Sequence, residues 1–288
     1  MIKIVVDSTA DVPPALAVTY NISVVPIVMQ IGGTTFRDSV DLSRDDFYRR
    51  LVESDELPRT AAPAIGIFAE RFQELAGDGS AVLSLSLSGE LSSTYSAAQQ
   101  AARMVENAEI TCVDSHTTSM PMTFLAMAAA DAARNGASLA EVVALVERLR
   151  ERTALFFALD TLHYVEKGGR IGRARAWLGT MLSVKPILEI SQNKLLPVEQ
   201  VRTWKRVPTR LLELMQTRAP LTELAALYTT DRSRAEQLAD MCAAAGLMDR
   251  ARIHVVQVSA ALGTHAGPNA VGLAGLGSAP PMNADTRR

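Results

Sequence analysis

The sequence predicts an α/β protein of two domains, in which a mostly parallel sheet with flanking helices is followed by an α+β domain. Two observations lead to this prediction. Short apolar runs alternate with segments of helical periodicity through the first half of the chain, which is the pattern of strands joined by crossover helices. The second half begins instead with two apolar runs around a short turn, which is typical of an antiparallel hairpin. We place the domains at 1–157 and 158–277 and expect a disordered tail at 278–288.

In the first half, serine and proline residues mark several helix starts. Ser43 and Ser138 precede amphipathic runs, where a serine hydroxyl can accept a first-turn amide. Pro63 and Pro121 stand at positions typical of a first helical turn. The strands predicted between these helices cover residues 2–6, 24–28, 81–86, 109–113 and 154–159.

In the second half, the turn-prone pair Gln192-Asn193 separates the two strands of the predicted hairpin, 187–190 and 195–201. Helical periodicity and apolar runs then alternate again. Helices are predicted at 205–217 and 232–245, and strands at 224–229, 253–258 and 271–276.

Composition, charge and segment length disfavour several classes of protein, although a nucleic-acid-binding regulator stays as a third alternative. The chain has 29 Lys and Arg against 31 Asp and Glu, a net charge of −2, and 5% aromatic residues, which does not favour binding to nucleic acid. The apolar segments are too short to span a membrane. Cys112 and Cys242 show no metal-ligand or disulfide spacing, so we expect a cytoplasmic protein without a metal site.

Acidic residues follow three of the predicted strands at the point where each strand ends. They are Asp7, Asp114 and Asp160. Ligands of open α/β sheets bind beyond the carboxyl ends of strands, so these positions suggest organised loops at one edge. An aspartate alone commonly holds a turn or caps a helix, and that use stays open for each of them.

Small hydroxyl residues in apolar surroundings form the candidate anion site. Thr60 lies in RTAAPA, and Ser92 and Ser93 stand just before a predicted helix. Hydroxyls and helix N-terminal amides can hold a carboxylate or phosphate, although a serine in this place is also a common helix cap. His265, in a predicted Gly-Pro loop, could donate to the same anion or lie on the surface.

A serine hydrolase is the alternative hypothesis for the same residues, with Ser92 as nucleophile and His265 as base. The Gly-x-Ser-x-Gly pattern is missing, because Ser86 stands two positions before Ser88 where a glycine would be needed. The sequence also shows no phosphate-binding Gly-x-x-x-x-Gly-Lys-Ser/Thr loop and no three-glycine dinucleotide fingerprint.

Cations crowd the Gly168-Gly169 pair in DTLHYVEKGGRIGRARAW. They are Lys167, Arg170, Arg173 and Arg175. Such a cluster can be a solvated helix face or a docking surface for an acidic or phosphate-carrying partner, and the sequence leaves both open.

Together these motifs resemble the DegV family over almost the whole chain. VVDSTADVP resembles the family's N-terminal Asp-Ser signature, and DTLHYVEKGGRI followed by LSVKPIL is the most specific piece. RTAAPA, LSSTYSAA and THAGPNAVGLA fall where the family has Thr-Ser-Gln-Pro-Ser, Leu-Ser-Gly-Thr-Tyr-Gln-Ser-Ala and His-Thr-Gly-Pro-Gly segments.

The resemblance implies a non-catalytic, lipid-binding carrier. Its ligand would be a long-chain fatty acid, held between the two domains without a further cofactor, and a separate fatty acid kinase would convert it to an acyl phosphate for phospholipid synthesis. It implies that Thr60, Ser92, the Ser93 amide and His265 bind the carboxylate. We expect no membrane span, only transient contact with a membrane.

The resemblance also suggests where the acyl tail and the kinase would lie. We expect Ile65, Phe68 and Met122 along the tail pocket. Docking of the kinase is expected at Lys167, Arg170, Arg173 and Arg202.

Five residues depart from the family pattern near the expected carboxylate. Ala61, Ala62 and Ala64 replace polar residues after Thr60, while Ser93 and Asn269 replace glycines. We expect these departures to affect the geometry of the carboxylate site and the acyl chain length that the protein prefers.

Overall fold

The computed structural model describes residues 1–54, 56–178 and 184–278. Of the predicted tail, only Ser278 lies within these ranges, so the prediction for 279–288 falls outside the described residues. The strands are β1 (Ile2–Asp7), β2 (Ile22–Val25), β3 (Val28–Ile31), β4 (Thr34–Arg37), β5 (Arg59–Ala61), β6 (Ala81–Ser86), β7 (Ile110–Asp114), β8 (Thr153–Ala158), β9 (Lys185–Ser191), β10 (Lys194–Val201), β11 (Leu221–Tyr228), β12 (His254–Gln257) and β13 (Val271–Gly277).

Helices connect most of these strands. They are α1 (Pro14–Tyr20), α2 (Arg44–Glu53), α3 (Ile65–Ala76), α4 (Thr94–Ala102), α5 (Met120–Arg134), α6 (Leu139–Arg150), α7 (His163–Lys167), α8 (Val207–Gln216), α9 (Arg232–Ala244) and α10 (Ala260–Ala266).

The predicted helix starts are largely confirmed. The Ser43 hydroxyl accepts the Asp46 amide at the start of α2, and Ser138 forms a reciprocal capping box with Glu141 at the start of α6. Pro121 lies in the first turn of α5. Pro63 instead precedes α3, which begins at Ile65.

The first sheet is parallel, as predicted, with the order β2-β1-β6-β7. The strand predicted at 24–28 is divided: β2 ends at Val25 and β3 begins at Val28 in a separate antiparallel sheet, β4-β3-β5. Pro26 lies in the gap, and a proline has no amide to continue the pairing.

The second large sheet has the order β10-β9-β8-β13-β11-β12. The predicted hairpin is confirmed, with Gln192 and Asn193 at φ 50 and 63, the left-handed turn that matches strand twist. The strand predicted at 154–159 does not join the parallel sheet: β8 pairs antiparallel with both β9 and β13. β8 therefore lies in this sheet although the predicted boundary at 157/158 falls within it, and the division into domains stays a prediction.

The two faces of the six-stranded sheet bury different cores. Leu155 on β8 faces the core that also contains α5, α6 and the parallel sheet. Its neighbours Ala154 and Phe156 face the opposite way, against α8 and α9. The period-2 alternation of a strand thus places the six-stranded sheet between two helical layers.

Candidate functional site

A cavity of about 320 Å³ lies between the parallel sheet's loops and one face of the six-stranded sheet. This volume is within the range of about 300–1,000 Å³ that is typical of ligand pockets. Thr9 and Leu87 reach it from the ends of β1 and β6, and Leu262 and His265 reach it from α10. The cavity therefore lies beyond the carboxyl ends of parallel strands, as expected for this kind of sheet.

Most of the cavity wall is apolar and comes from alternate residues of the six-stranded sheet. Leu155 and Phe157 of β8 line it, with their register partners Ile190 on β9 and Gly272 on β13. Leu227 of β11 continues this row, since it pairs with Gly272. Long apolar ligands suit such a wall, because its residues offer contact area without hydrogen-bonding demands.

The predicted tail residues do not form this wall. Phe68 is fully buried with Phe72 on the other side of the parallel sheet, and Ile65 packs against the same cluster. Met122 lies in α5 within the core between the sheets. Their helical periodicity is that of ordinary core positions, whereas the apolar side chains of the cavity come largely from the face of β8, β9, β11 and β13.

The four residues predicted to hold an anion all line this same cavity. The Thr60 Oγ1 atom lies 3.0 Å from Nε2 of His265, although the two residues are 205 positions apart. Thr60 is the central residue of β5, where it pairs with Met29. The short β3-β4-β5 sheet, which the sequence did not predict, is therefore the element that presents Thr60.

Ser92 and Ser93 lie at the start of α4 and differ in their contacts. The Ser92 Oγ atom lies 2.9 Å from the Thr94 hydroxyl and accepts the Thr94 amide at 3.3 Å. Ser93 is the residue before the helix, and its side chain makes no capping bond. Ser92 therefore has the local turn role that the sequence left open, while both residues face the cavity.

Two buried or half-buried aspartates hold the loop that leads to Ser92. Asp7 accepts the Leu87 amide at 2.8 Å, and Asp114 accepts the Gly89 amide at 3.0 Å. Asn193 of the hairpin turn also donates to Asp114, at 3.1 Å. These carboxylates organise the edge of the parallel sheet, as predicted. Asp160 lies elsewhere, paired with Lys185 and Trp204.

His265 lies in α10 and not in a loop, so the predicted Gly-Pro loop begins only after it. Burial, and to a smaller extent the positive charge of Arg170, lower the pKa of the His265 imidazole to about 4. The ring is thus neutral near pH 7. Its Nδ1 atom is buried and has no hydrogen-bond partner within the described residues.

Arg170, which the sequence predicts as a docking residue, also lines the cavity. Its Nε atom donates to the Leu91 carbonyl at 3.0 Å, and Nη1 donates to the Gly168 carbonyl at 2.7 Å. Arg170 is half-buried and lines the cavity, so a positive charge stands between the serine loop and His265. The Gly168-Gly169-Arg170 run was the signal that could have placed it there.

The other predicted docking residues lie on the surface. Arg173 lines an open depression next to the cavity, which also includes Lys194 and Ser93. Lys167 and Arg202 are exposed outside both. In the described ranges, none of these cations forms an ion pair with a carboxylate, unlike Arg210 or Arg250.

The residues that depart from the family pattern also lie close to the site. Ala61 and Ala62 line the cavity beside Thr60 and make its surroundings more apolar. Asn269 adopts a left-handed φ of 62, and its side chain accepts from Thr230. Asparagine is one of the few residues that adopt this conformation readily, which explains how it can stand in place of glycine.

The Ser92–His265 pair of the hydrolase hypothesis does not form a hydrogen bond among the described residues. His265 contacts Thr60 through Nε2, and the Ser92 hydroxyl contacts Thr94. Within the described ranges, no three His, Cys, Asp or Glu side chains come together as a set of metal ligands. Among the helices of the same ranges, none combines the length and apolar character needed to cross a bilayer.

Comparison with known proteins relates this geometry to one family. The profile of the DegV family, described as uncharacterised proteins, matches residues 1–276. A DegV domain-containing protein of Halalkalibacterium halodurans is 32% identical over 276 residues, which cover 94% of this chain and 97% of that protein.

Solved structures are similar over nearly the same extent. A DegV family protein from Thermus thermophilus, described as fatty acid binding, has a TM-score of 0.89 and 29% identity, covering 96% of this chain and 99% of its own. The fatty acid binding protein DegV from Bacillus subtilis has a TM-score of 0.86 and 28% identity, with coverage of 96% and 99%. The fold class predicted from the sequence is therefore confirmed.

Proposed function

This chain belongs to the DegV family, and on that premise we propose that it is a non-catalytic cytoplasmic carrier of a long-chain fatty acid. The acyl tail lies in the apolar cavity against the six-stranded sheet. The carboxylate lies at the polar end, and a separate kinase converts it to an acyl phosphate. The observation that carries this proposal is the contact between Thr60 and His265 in a largely apolar cavity.

The cavity wall accounts for affinity. Burial of a methylene contributes about 0.8 kcal/mol, so roughly a dozen methylenes contribute on the order of 10 kcal/mol before the entropic costs of binding. Similar solved structures support a fatty acid as the ligand, since those from Thermus thermophilus and Bacillus subtilis are described as fatty acid binding.

The polar end accounts for orientation. A carboxylate there can accept from the hydroxyls of Thr60 and Ser92 and from the Ser93 amide. Neutral His265 can donate through Nε2, and the Arg170 charge favours the ionised acid. A hydrogen bond to a charged group contributes about 1.5–3 kcal/mol, enough to fix which end of the ligand faces these loops.

The kinase would approach from the depression beside Ser93. Arg173 and Lys194 line that depression and form no ion pair within the described residues, so they suit an acidic surface or a nucleotide phosphate. Ser93 and Arg170 line both the depression and the cavity, so the ligand carboxylate would lie at the boundary between them.

Extraction of the purified protein with organic solvent, followed by mass spectrometry, tests the proposal directly. We expect close to one equivalent of a long-chain fatty acid. Thr60→Val, which removes only the hydroxyl, should lower the affinity for stearic acid about tenfold or more. Thr35→Val is the matched control, since Thr35 is exposed on β4. Absence of lipid from the wild-type protein together with no saturable binding of stearic acid would refute the proposal.

A further inference from the structure

Two buried carboxylates meet the first turn of α10, the helix that carries His265. Asp11 follows the short turn after β1, and Asp38 follows β4. Both are essentially inaccessible to solvent. A buried charge is costly unless it is paired and hydrogen-bonded, so the contacts of these groups show what they hold in place.

Asp11 connects three segments of the chain. Its Oδ1 atom accepts the Ser259 amide at 2.7 Å, and Ser259 is the residue directly before α10. Its Oδ2 atom accepts the Ser119 hydroxyl at 2.5 Å, at the start of α5. Ser119 itself lines the cavity. One carboxylate thus fixes the cavity wall and the start of α10 to the end of β1.

Asp38 lies beside the same turn, and its carboxylate interacts with the Ala261 amide in the first turn of α10. The Ser8 hydroxyl donates to Oδ2 at 2.7 Å, which ties Asp38 to the loop that carries Asp11. Arg44 balances the two negative charges, with Nη2 at 3.8 Å from Asp11.

The position of α10 depends strongly on such attachments. A helix of seven residues has too few internal hydrogen bonds to be stable alone. His265 stands six residues after Ser259, a distance of about 9 Å along the axis, so a small tilt at the first turn moves the ring. Tyr48 adds a third contact, donating to the Val258 carbonyl at 3.0 Å.

We propose that Asp11 and Asp38 are positioning residues that hold α10 in register with β5, so that His265 meets Thr60 at the polar end of the cavity. Neither carboxylate touches the ligand in this arrangement. The inference rests on the proposed function, because it assigns these acids a role in the binding of the fatty acid head group.

Asp11→Ala and Asp38→Ala test this, with Asp7→Ala as the matched control. Asp7 is equally buried at the end of β1, but its bonds go to Leu87 and Thr9 and not to α10. Two quantities are measured: the affinity for stearic acid, and the titration of His265 by NMR of the ring protons. Only four histidines are present, and His265→Gln assigns the signal.

We expect Asp11→Ala and Asp38→Ala to weaken the binding of stearic acid about tenfold or more and to move the His265 titration toward its ordinary range. A released α10 exposes the ring to water and moves it away from Arg170. Asp7→Ala should lower stability and leave the His265 titration unchanged. A general loss of stability would not separate the three variants in this way.

Asp11→Asn covers the case in which the alanine variants do not fold, since it keeps one acceptor for the Ser259 amide and should give a smaller change of the same sign. A wild-type titration of His265 in the folded Asp11 and Asp38 variants overturns the inference, as does an altered titration with unchanged affinity. If the wild-type protein binds no stearic acid, the proposed function fails first.

Discussion

Gly168 lies so close to the imidazole of His265 that a methyl group in its place would overlap the Nδ1 atom. The backbone of Gly168 is in the right-handed helical region, so an alanine would be allowed there if the ring were absent. The glycine is thus required by the close approach of α7 to α10 and not by its own conformation. It places the backbone of Gly168 directly against the His265 ring.

Gly168→Ala should therefore displace His265 from Thr60. We expect about tenfold weaker binding of stearic acid, measured by isothermal titration calorimetry, because the polar end loses a donor. Gly66→Ala is the control: Gly66 lies in α3 with open space around it, and alanine there should stabilise the protein by about 0.5–1 kcal/mol. Unchanged affinity in Gly168→Ala would show that the ring position does not matter for binding.

Arg170 provides a second test of the same site, through the ionisation of His265. Its positive charge disfavours the imidazolium, so Arg170→Gln should raise the pKa of His265 above the value of about 4 in the wild type. Burial, the larger cause, should keep that pKa below 6.5. NMR titration measures the shift. Arg175→Gln, in the exposed part of the same segment, should leave it unchanged.

The sequence predicted the layers of the fold better than the details of the site. Apolar periodicity and capping residues such as Ser138 located most helices and strands, because these signals are local. The assignment of β8 to the parallel sheet was wrong, since the partners of a strand are set by contacts that are distant in sequence. The β3-β4-β5 sheet was missed for a similar reason, because its strands are three or four residues long.

Within the site, polar residues could be predicted and the apolar wall could not. Thr60, Ser92 and His265 stood out because hydroxyls and a histidine in apolar surroundings are unusual. Leu155 and Phe157 did not stand out, since a residue that faces a cavity looks in sequence like one that faces a solid core. The same ambiguity led to the choice of Phe68 and Met122.

The buried, neutral state of His265 predicts a pH dependence of stability. Its pKa is about 4 in the folded protein and near 6.5 when the chain is unfolded, so between these values the unfolded chain takes up the proton. This group therefore makes the free energy of unfolding fall as pH falls, by about 2 kcal/mol between pH 7.5 and pH 5.

Comparison with His265→Gln isolates that contribution. Asp7 and Asp11, whose pKa values burial raises to about 6, act with the opposite sign, since they bind protons in the folded state first. They are present in both proteins and cancel in the difference. Urea unfolding at pH 7.5 and pH 5 measures this difference. On going to pH 5, the free energy of unfolding of the variant should rise relative to that of the wild type. An equal pH dependence in the two proteins would contradict a neutral, buried His265.

If a kinase docks at the depression beside the cavity, as proposed, its docking can be impaired without loss of fatty acid binding. Arg173 is exposed on this face and touches no carboxylate in the described part of the chain. Reversal of its charge should therefore weaken association with the kinase through long-range electrostatics and leave the cavity intact. Arg173→Glu should lower acyl phosphate formation by a bacterial fatty acid kinase with ATP about tenfold at low salt, with unchanged stearic acid content. Arg103→Glu, exposed at the end of α4 and outside the depression, should have little effect.

Raising the ionic strength should slow the wild type toward the variant, because salt screens exposed charges over about 10 Å at 0.1 M. An equal loss of activity in both variants would mean that only net charge matters, and loss of bound stearic acid in Arg173→Glu would place Arg173 in the binding site instead.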